Sequence, residues 1–381
     1  MFRFLTAGES HGPALTAIID GLPAGIPLSI KEINNELKRR QQGFGRGGRM
    51  QIESDEAEIL SGVREGMTIG SPVSILIRNK DHKNWQDRMS VEATGKKPEP
   101  ITTPRPGHAD MAGYLKYGFD DIRNVIERAS ARETAARTAV GAVAKKMLTV
   151  FDIRLASNVL SIGDIKAESV INDMEDAKII DGSQVRCKDD KASDRMVAAI
   201  KEAKEEGDTL GGVFEIVVFG LPPGLGSYAQ WDMRLDSRLA GAVMSIPAIK
   251  GVGIGDGFAV SEKKGSQVHD EMSLTRDKRI KRTTNRAGGL EGGVTNGEPV
   301  RVTAAMKPIP TLKKPLHTVD VKSAKEALAL KERSDVCAVP SAAVVGEAVV
   351  AIEVAKVFLE KFGGDSIKEI ERNLSSYKEG L

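Results

Sequence analysis

Arginine and hydroxyl side chains gather in one short stretch of the chain, from Arg128 to Arg132. Ser130 followed by Glu133 is the pattern of a capping box, in which each side chain accepts a backbone N–H of the other residue, so a helix is predicted to begin here. The helix dipole favours acidic residues at that end, whereas here two arginines flank the first turn. Two interpretations stay open: an anion held by guanidinium and free N–H groups, or a solvated arginine pair on an ordinary capped helix.

Two of the five histidines lie in turns rich in glycine and proline. His11 belongs to the Gly-Glu-Ser-His-Gly segment at 8–12, and His108 follows Arg-Pro-Gly at 105–107. The side chains of neighbouring Ser10 and His11 point to opposite sides of an extended segment, so they do not pair as nucleophile and base. This argues against a serine hydrolase. For each histidine, a catalytic and a structural role both remain open.

Two further stretches place a charged group beside a turn. Lys307 heads a stiff Pro-Ile-Pro-Thr exit from a strand at 308–311, and Asp335 lies two residues after Arg333. The Gly-Val-Gly-Ile-Gly segment at 251–255 resembles a dinucleotide-binding fingerprint only superficially, because no helical pattern follows it.

The segment 39–49 concentrates four arginines among glycines: Arg39, Arg40, Arg46 and Arg49. Three interpretations stay open, namely an RNA-binding Arg-Gly segment, a loop that closes over a polyanionic small molecule, and a solvated basic loop. A net charge of +2 and an aromatic content of 4% favour the small molecule over RNA.

The composition of the 381 residues, 40% apolar and 28% charged, is typical of a globular protein with a substantial core. The near balance of 55 basic and 53 acidic residues gives no global field for nucleic acid or membrane, so no such partner is expected. Cys187 and Cys337 are too far apart for a disulfide framework or a metal-ligand spacing. Without an apolar signal segment or a run of transmembrane length, a cytoplasmic location is expected.

The strand and helix signals occur twice, about 200 residues apart. A strand at 14–20 is closed by Gly-Leu-Pro-Ala-Gly and followed by an apolar helical face at 30–37, and a strand at 213–219 is closed by Gly-Leu-Pro-Pro-Gly and followed by a similar face at 235–243. Glycine-rich turns lead into strands at 74–77 and 301–306, and Glu-Arg-Ala at 127–129 matches Glu-Arg-Ser at 332–334. The alternative, that Gly-Leu-Pro-x-Gly is only a common turn, stays open.

The repeats predict one large domain over 1–381 with related halves at about 1–150 and 208–381. A connecting segment at 151–207 contains a helix at about 192–206. Because the strands are short, interrupted by Gly and Pro, and followed by helices, we expect an α+β fold. Antiparallel β-sheets would form a sandwich flanked by helices, with the halves related by a pseudo-twofold axis.

Three of these segments together resemble the chorismate synthase family. They are 8–12 with 18–23, 128–134 with the alanine-rich helix after it, and 333–335. The segments 105–110, 285–289 and 307–308 also match, so the resemblance runs from about residue 1 to 355. One departure, Ala129 where many members have serine, leaves Ser130 and the cap intact.

The resemblance implies a lyase that converts 5-enolpyruvylshikimate 3-phosphate to chorismate and phosphate by 1,4-elimination. It also implies reduced FMN without net oxidation, and a homotetramer. NADPH and a separate flavin reductase both remain open as sources of the electrons. Substrate and FMN together carry two phosphates and two carboxylates, which explains the need for several arginines, since these side chains stay charged and bind anions bidentately.

The resemblance also implies individual roles. His11 is expected to be the acid that assists the leaving phosphate, His108 to hydrogen-bond or protonate the reduced flavin, and Asp335 to relay the proton, with Ser10 and Ser130 as polar supports. The implied cofactor-binding residues are Arg128, Ala129, Ser130, Pro247, Ala248, Gly292, Lys307, Pro308, Ile309, Pro310, Thr311 and Arg333, with Arg40 and Arg46 at positions assigned to a nicotinamide cofactor. The expected substrate-binding arginines are Arg40, Arg46, Arg49, Arg105 and Arg132.

Overall fold

The computed structural model describes residues 2–47, 54–93, 95, 98–276, 278–332 and 334–381. The helices in these ranges are α1 (Ile30–Gln41), α2 (Asp110–Tyr117), α3 (Arg123–Ala129), α4 (Thr134–Thr149), α5 (Asp176–Gly182), α6 (Asp190–Glu206), α7 (Leu235–Met244), α8 (Gly265–Val268), α9 (Val339–Phe362) and α10 (Ile367–Glu379). Short 3-10 turns lie at Lys80–Asn84, Ala131–Glu133, Trp231–Met233 and Gly257–Glu262.

The strands in the same ranges are β1 (Arg3–Ala7), β2 (Ala14–Asp20), β3 (Ala57–Ser61), β4 (Val63–Arg64), β5 (Met67–Thr68), β6 (Val73–Arg78), β7 (Arg154–Ile162), β8 (Ile165–Lys166), β9 (Gly212–Phe219), β10 (Ile249–Ile254), β11 (Met272–Leu274), β12 (Ile280–Arg282), β13 (Leu290–Glu291), β14 (Val294–Thr295), β15 (Val300–Met306), β16 (His317–Asp320) and β17 (Lys325–Leu328). The predicted mixture of helices and antiparallel sheets is therefore confirmed.

Two larger sheets carry the fold, with strand orders β1-β2-β6-β3 and β10-β15-β9-β7-β8, and all neighbours are antiparallel. Alternation along β2 shows that the first sheet presents one face to the core. Leu15, Ala17 and Ile19 are buried, whereas Ile18 between them is 51% exposed. The central strands β7 and β9 of the second sheet are instead buried on both faces.

The long helices α4 and α9 pack against each other, and each also packs against one sheet, α4 on β2 and α9 on β7 and β9. Small residues allow the close approach: a Cβ added to Gly141 would lie 2.3 Å from the Cβ of Ala348. Both helices are buried over most of their surface, as expected for helices that are apolar on nearly all sides. Within the described ranges, no helix combines the length and the apolar character needed to cross a bilayer.

The turns that follow β2 and β9 use the same contact in both halves of the chain. The Thr68 hydroxyl donates to the carbonyl of Pro23 at 2.7 Å and accepts the N–H of the third residue after that proline at 2.9 Å. The Thr295 hydroxyl makes the corresponding bonds, 2.7 and 2.8 Å, around Pro222. The sequence match between the two Gly-Leu-Pro-x-Gly turns thus extends to their hydrogen bonding.

Part of the segment that was expected to connect the halves belongs to the second sheet. Its strand β7 pairs along its length with β9, as β1 pairs with β2 in the first sheet. The predicted helix of this segment is present as α6. The segment therefore supplies core structure as well as a connection.

The predicted capping box at Ser130 is wrong. The Ser130 hydroxyl accepts the N–H of Arg132 at 3.3 Å, because a 3-10 turn precedes the helix and brings that amide closest. The Glu133 carboxylate pairs with Arg137 one turn later, at 3.0 Å. The α-helix itself begins at Thr134.

Candidate active site

A cavity of about 610 Å³ lies at the N-terminal ends of α4 and α9 and is lined by residues from both halves of the chain. Its volume is in the range of small-molecule sites. One part of its lining is apolar, with Ile126, Met244, Ile246, Ile249, Met306 and Val345. Another part is charged, with Arg40, Arg46, Arg105, Arg132, Lys307, Glu332 and Asp335.

Glu127, on α3, fixes His11 in this lining. Its carboxylate accepts the backbone N–H of His11 at 2.8 Å and contacts the ring Nδ1 at 2.9 Å, and its carbonyl accepts the Ser10 N–H at 3.0 Å. The Glu127 side chain is only 2% exposed. A carboxylate at Nδ1 keeps the proton on that nitrogen and leaves Nε2 as the reactive atom.

Trp85 covers the His11 ring, with ring centroids 3.7 Å apart and an angle of 25° between the planes. The guanidinium of Arg123 lies 5.2 Å from the Trp85 centroid and reaches Glu127 at 3.4 Å. Burial alone would raise the pKa of the Glu127 carboxyl, but the hydrogen bonds and charge of His11 and the charge of Arg123 outweigh it and lower that pKa. Glu127 therefore stays ionised beside the ring.

His108 has the same type of partner. Its Nδ1 lies 2.5 Å from the carboxylate of Asp110, which also binds Arg105 through Nε at 2.8 Å and Nη2 at 3.0 Å. Asp110 is fully buried. Burial would raise the pKa of Asp110, but the hydrogen bonds and charges of His108 and Arg105 hold it well below its usual range.

The segment after β15 encloses this histidine turn. Lys307 donates from Nζ to the carbonyl of Gly107 at 2.5 Å, and the Thr311 hydroxyl accepts from Arg105 at 3.1 Å. The backbone N–H of Lys307 donates to the carbonyl of Ala248. The backbone of Ala248 has a φ of +70°, which residues other than glycine rarely adopt. The predicted segments at 105–108, 247–248 and 307–311 are therefore brought together.

Arg40 and Arg132 line the cavity and share the buried carboxylate of Asp55, with Arg40 at 3.4 Å and Arg132 closer. Burial, together with the charges of Arg46 and Arg132, lowers the pKa of Arg40 to about 10, although Asp55 acts in the opposite direction. Two guanidinium groups on one carboxylate, with the charge of Arg46 close to Arg40, form a site whose electrostatics favour an added anion.

Arg46 completes this cationic side. It pairs with Asp335 at 3.1 Å, and the Asp335 carboxylate also accepts the N–H of Gly47 at 2.6 Å. The Nε of Arg46 is buried and has no hydrogen-bond partner in the described structure. A buried donor of this kind is normally satisfied, so it indicates a missing acceptor such as an anion.

Arg39 lies in the last turn of α1 and has a different environment: it binds Glu36 at 2.9 Å and Glu347 at 2.8 Å. The described arginines of the segment 39–49 are therefore mostly buried against protein carboxylates, which argues against an RNA-binding surface.

Most of the predicted site residues line the cavity: Ser10, His11, Arg40, Arg46, Arg105, His108, Ala129, Ser130, Arg132, Pro247, Ala248, Lys307, Ile309, Pro310, Thr311 and Asp335. Three do not. Arg128 donates to the backbone carbonyls of Thr6 and Gly8, Pro308 lies between two lining residues, and Gly292 lies in the β13–β14 turn beside Tyr228. Arg49 and Arg333 lie outside the described residues.

Sequence reasoning missed the residues that hold the histidines and arginines: Asp55, Trp85, Asp110, Arg123, Glu127 and Glu332. Asp110 was within reach of a local argument, since it lies two residues after His108 in the matched segment. The contact between Glu127 and His11 spans 116 residues, and no spacing rule predicts it.

The comparisons with known proteins agree with this geometry. A family model described as chorismate synthase matches residues 2–359. The chain belongs to the chorismate synthase family. A chorismate synthase of Alkaliphilus metalliredigens (strain QYMF) is 55% identical over 377 residues, covering 99% of both chains, and one of Geobacter sulfurreducens is 56% identical over 388 residues, covering 100% of this chain and 99% of its own. A crystal structure of a chorismate synthase superposes with a TM-score of 0.80 at 44% identity, covering 99% of this chain and 97% of the other.

The resemblance inferred from motifs is thereby confirmed. Chorismate synthases are lyases of the shikimate pathway that form chorismate on the route to the aromatic amino acids, and the family implies a reduced flavin cofactor. In this chain, residues from the matched segments 8–12, 105–110, 128–134, 307–308 and 334–335 line one cavity.

Proposed function

We propose that this chain eliminates phosphate from 5-enolpyruvylshikimate 3-phosphate to give chorismate in the cavity described above. The observation that carries the proposal is the combination of two features in one cavity. Two histidines each have a carboxylate at Nδ1, and a cluster of arginines includes Arg46, whose buried Nε has no hydrogen-bond partner among the described residues. The substrate has one phosphate and two carboxylates, and such a cluster matches its charge.

His11 is proposed as the acid that protonates the leaving phosphate. Glu127 occupies Nδ1, so the proton is given from Nε2, and the buried carboxylate balances the charge of the ring while both nitrogens are protonated. Ser10 and Ser130, also in the lining, supply hydroxyls for the substrate oxygens. Arg40, Arg105 and Arg132 are proposed to hold the substrate anions, and we include Arg49 in this set.

The residues present fit a reduced flavin beside the substrate. The apolar side of the lining suits an aromatic ring system, while Lys307 and the unsatisfied Nε of Arg46 suit a phosphate. When bound, reduced FMN supplies transient electron density to the substrate as phosphate leaves. The proposed flavin contacts come from Ala129, Ser130, Pro247, Ala248 and the segment 307–311. Arg333 and Gly292 are included because they match the family's motifs. Arg128 is proposed to act indirectly, because its side chain holds the backbone at Thr6 and Gly8.

His108 is proposed to donate a hydrogen bond or a proton to the flavin, held by Asp110 as His11 is held by Glu127. Asp335 is proposed to accept the substrate proton, because Arg46 and the Gly47 N–H hold it as an oriented acceptor in the lining. Arg40 and Arg46 are also the proposed contacts of NADPH as an electron source. An anaerobic mixture of the protein, NADPH and FMN without added reductase tests this source. Loss of flavin absorbance would show that the protein itself reduces FMN with NADPH, and unchanged absorbance would indicate a separate flavin reductase.

We also propose a single domain of two related halves in a sandwich with pseudo-twofold symmetry, supported by the matching threonine contacts and strand orders. In this proposal β7 is the counterpart of β1, because each pairs with the strand that precedes the Gly-Leu-Pro-x-Gly turn, and the second half then begins at about residue 154. A homotetramer is proposed too, and exposed Leu5, Ile18 and Leu60 on the first sheet are apolar side chains that assembly would cover. Light scattering during size-exclusion chromatography measures the mass of the assembly and so gives the number of subunits.

The test of function is an anaerobic assay with 5-enolpyruvylshikimate 3-phosphate and reduced FMN, in which chorismate and phosphate appear in equal amounts. His11→Ala should lower kcat by on the order of 100-fold or more, the usual value of a general acid. His269→Ala, outside the cavity lining, serves as the matched control and should keep the parent rate. Absence of chorismate with the parent protein would refute the proposal.

A further inference from the structure

A continuous series of ion pairs connects the two histidines across the cavity. From His11, contacts run to Glu127 at 2.9 Å, then to Arg123 at 3.4 Å, and from Arg123 to Glu332 at 2.8 Å. Glu332 thus carries the series out of the first histidine cluster.

From Glu332 the series reaches the second cluster. Its other carboxylate oxygen lies 3.6 Å from Nη1 of Arg105, whose Nε binds Asp110 at 2.8 Å, and Asp110 binds His108 at 2.5 Å. Glu332 is 24% exposed and lines the cavity, but contacts neither histidine. It is the point at which the two clusters meet.

The two glutamates beside Arg123 have corresponding places in the repeat. Glu127 begins the Glu-Arg-Ala stretch of the first half, and Glu332 begins the Glu-Arg-Ser stretch of the second. Both pair with the same atom, Nη1 of Arg123. One arginine therefore joins equivalent positions of the two halves.

The geometry points to Glu332 and Arg123 as positioning residues that hold His11 and His108 in a fixed relation across the cavity. This inference rests on the proposed function, in which both histidines act in one reaction. The ion pairs are largely shielded from water, so screening is weak and each carboxylate keeps its guanidinium partner in one orientation. Without the Glu332 carboxylate, Arg123 keeps Glu127 and Arg105 keeps Asp110 as its one carboxylate partner among the described residues.

The first test uses protein without cofactor or substrate and reads the stacking of Trp85 on His11. The chain has two tryptophans, and Trp231 is 72% exposed, so Trp231→Phe leaves Trp85 as the sole reporter. In that background Glu332→Gln should change the emission intensity of Trp85 and increase its quenching by acrylamide, because Arg123 loses one of its two anchors. Glu360→Gln is the matched control, since Glu360 also pairs with an arginine, Arg238 at 2.7 Å, but lies outside the cavity lining.

The second test separates positioning from substrate binding. Glu332→Gln should lower kcat by about 10- to 100-fold while KM for the substrate changes by less than about threefold, as expected for small misplacement of reacting groups. Glu332→Asp, which keeps the charge, should restore part of kcat. Glu360→Gln should change neither parameter.

Two results would overturn the inference. One is unchanged Trp85 emission and quenching in Glu332→Gln at equal folded fraction; the other is a loss confined to thermal stability, with parent kcat. If the parent protein formed no chorismate, the proposed function would fail, yet the fluorescence comparison would still decide whether Glu332 holds the His11 cluster.

Discussion

At the scale of residues, the described histidines and arginines proposed to act in the cavity have carboxylate partners already in place. Glu127 holds His11, Asp110 holds His108, and Asp55 lies between two arginines. Groups fixed before the substrate arrives need little reorganisation during the reaction, which is the main source of electrostatic catalysis.

Asp55→Asn tests this arrangement. The Asp55 side chain is 1% exposed, and its loss leaves Arg40 and Arg132 buried with less counter-charge, so we expect the free energy of unfolding to fall by about 3–5 kcal/mol. Added phosphate should recover part of the loss, because an anion replaces the missing charge. Urea denaturation with and without phosphate measures both effects.

Asp20→Asn is the control for that prediction. Asp20 pairs with Arg3 at the surface, with side chains 40% and 76% exposed, so its loss should cost no more than about 1 kcal/mol. Equal stability of the Asp55 variant and this control would contradict the assigned role of Asp55.

Sequence patterns located the histidines but not their partners. His11 and His108 stand in short motifs whose unusual glycine and proline content is visible along the chain. Glu127 directly precedes the stretch Arg128–Arg132, yet its function depends on a contact with His11 that only the folded chain creates. Local spacing carries no information about such contacts.

At the scale of elements, the regular segments were predictable because their signals are local. The strand at Ala14–Asp20 and the helix at Ile30–Gln41 follow directly from apolar periodicity. The short helices α2 and α3 beside the histidines were missed, since their mixed polar surfaces show no clear period. The helix α4 begins at Thr134 and not directly after Ser130, because Ser130 caps the 3-10 turn Ala131–Glu133 that precedes the helix.

The contact between α4 and α9 gives the prediction at this scale. In Gly141→Ala the new Cβ would meet Ala348, so the helices must separate, and we expect a loss of about 1–3 kcal/mol in the free energy of unfolding. Because Thr134 and Ala338, near the starts of the two helices, line the cavity, kcat/KM should fall as well. Thermal unfolding and steady-state kinetics measure the two changes.

Gly241→Ala in α7 is the matched control. Apart from the neighbouring residues and the helix's own backbone, no atom of the described residues lies within 4 Å of a Cβ added there, so alanine should stabilise that helix by about 0.5–1 kcal/mol through its better helix propensity. A Gly141→Ala variant that gained stability in the same way would show that the helix contact is not tight.

At the scale of the whole molecule, a buried charge cluster joins distant parts of the chain. Glu347 on α9 is fully buried and binds Arg39 of α1 at 2.8 Å, Lys145 of α4, Arg186 at 3.4 Å and the Ser157 hydroxyl of β7 at 2.6 Å. Burial opposes its ionisation, but the charges of Arg39, Lys145 and Arg186 lower the pKa of Glu347 well below its usual range. The fold therefore depends on this carboxylate remaining charged.

Acid unfolding is the consequence for the whole protein. Asp110 and Glu347 both have pKa values held below the ordinary range, and hydrogen bonds from Thr102 and the backbone of Ser323 lower the pKa of Asp320 to about 2. A carboxyl whose pKa is lower in the folded state stabilises the fold above its unfolded pKa, near 4, and loses that contribution as the pH falls through the folded value. Circular dichroism melts should show near-constant stability from about pH 7 to 5 and a steep loss between about pH 4 and 2.

The Asp320→Asn variant separates the contributions, because it removes only the group with the folded pKa of about 2. Its stability should therefore depend less steeply on pH between about 4 and 2 than that of the parent, with the remaining slope due to groups such as Asp110 and Glu347. A main loss of stability above about pH 5, where carboxylates stay ionised in the folded and the unfolded state, would show that the paired carboxylates do not control the acid sensitivity of the fold.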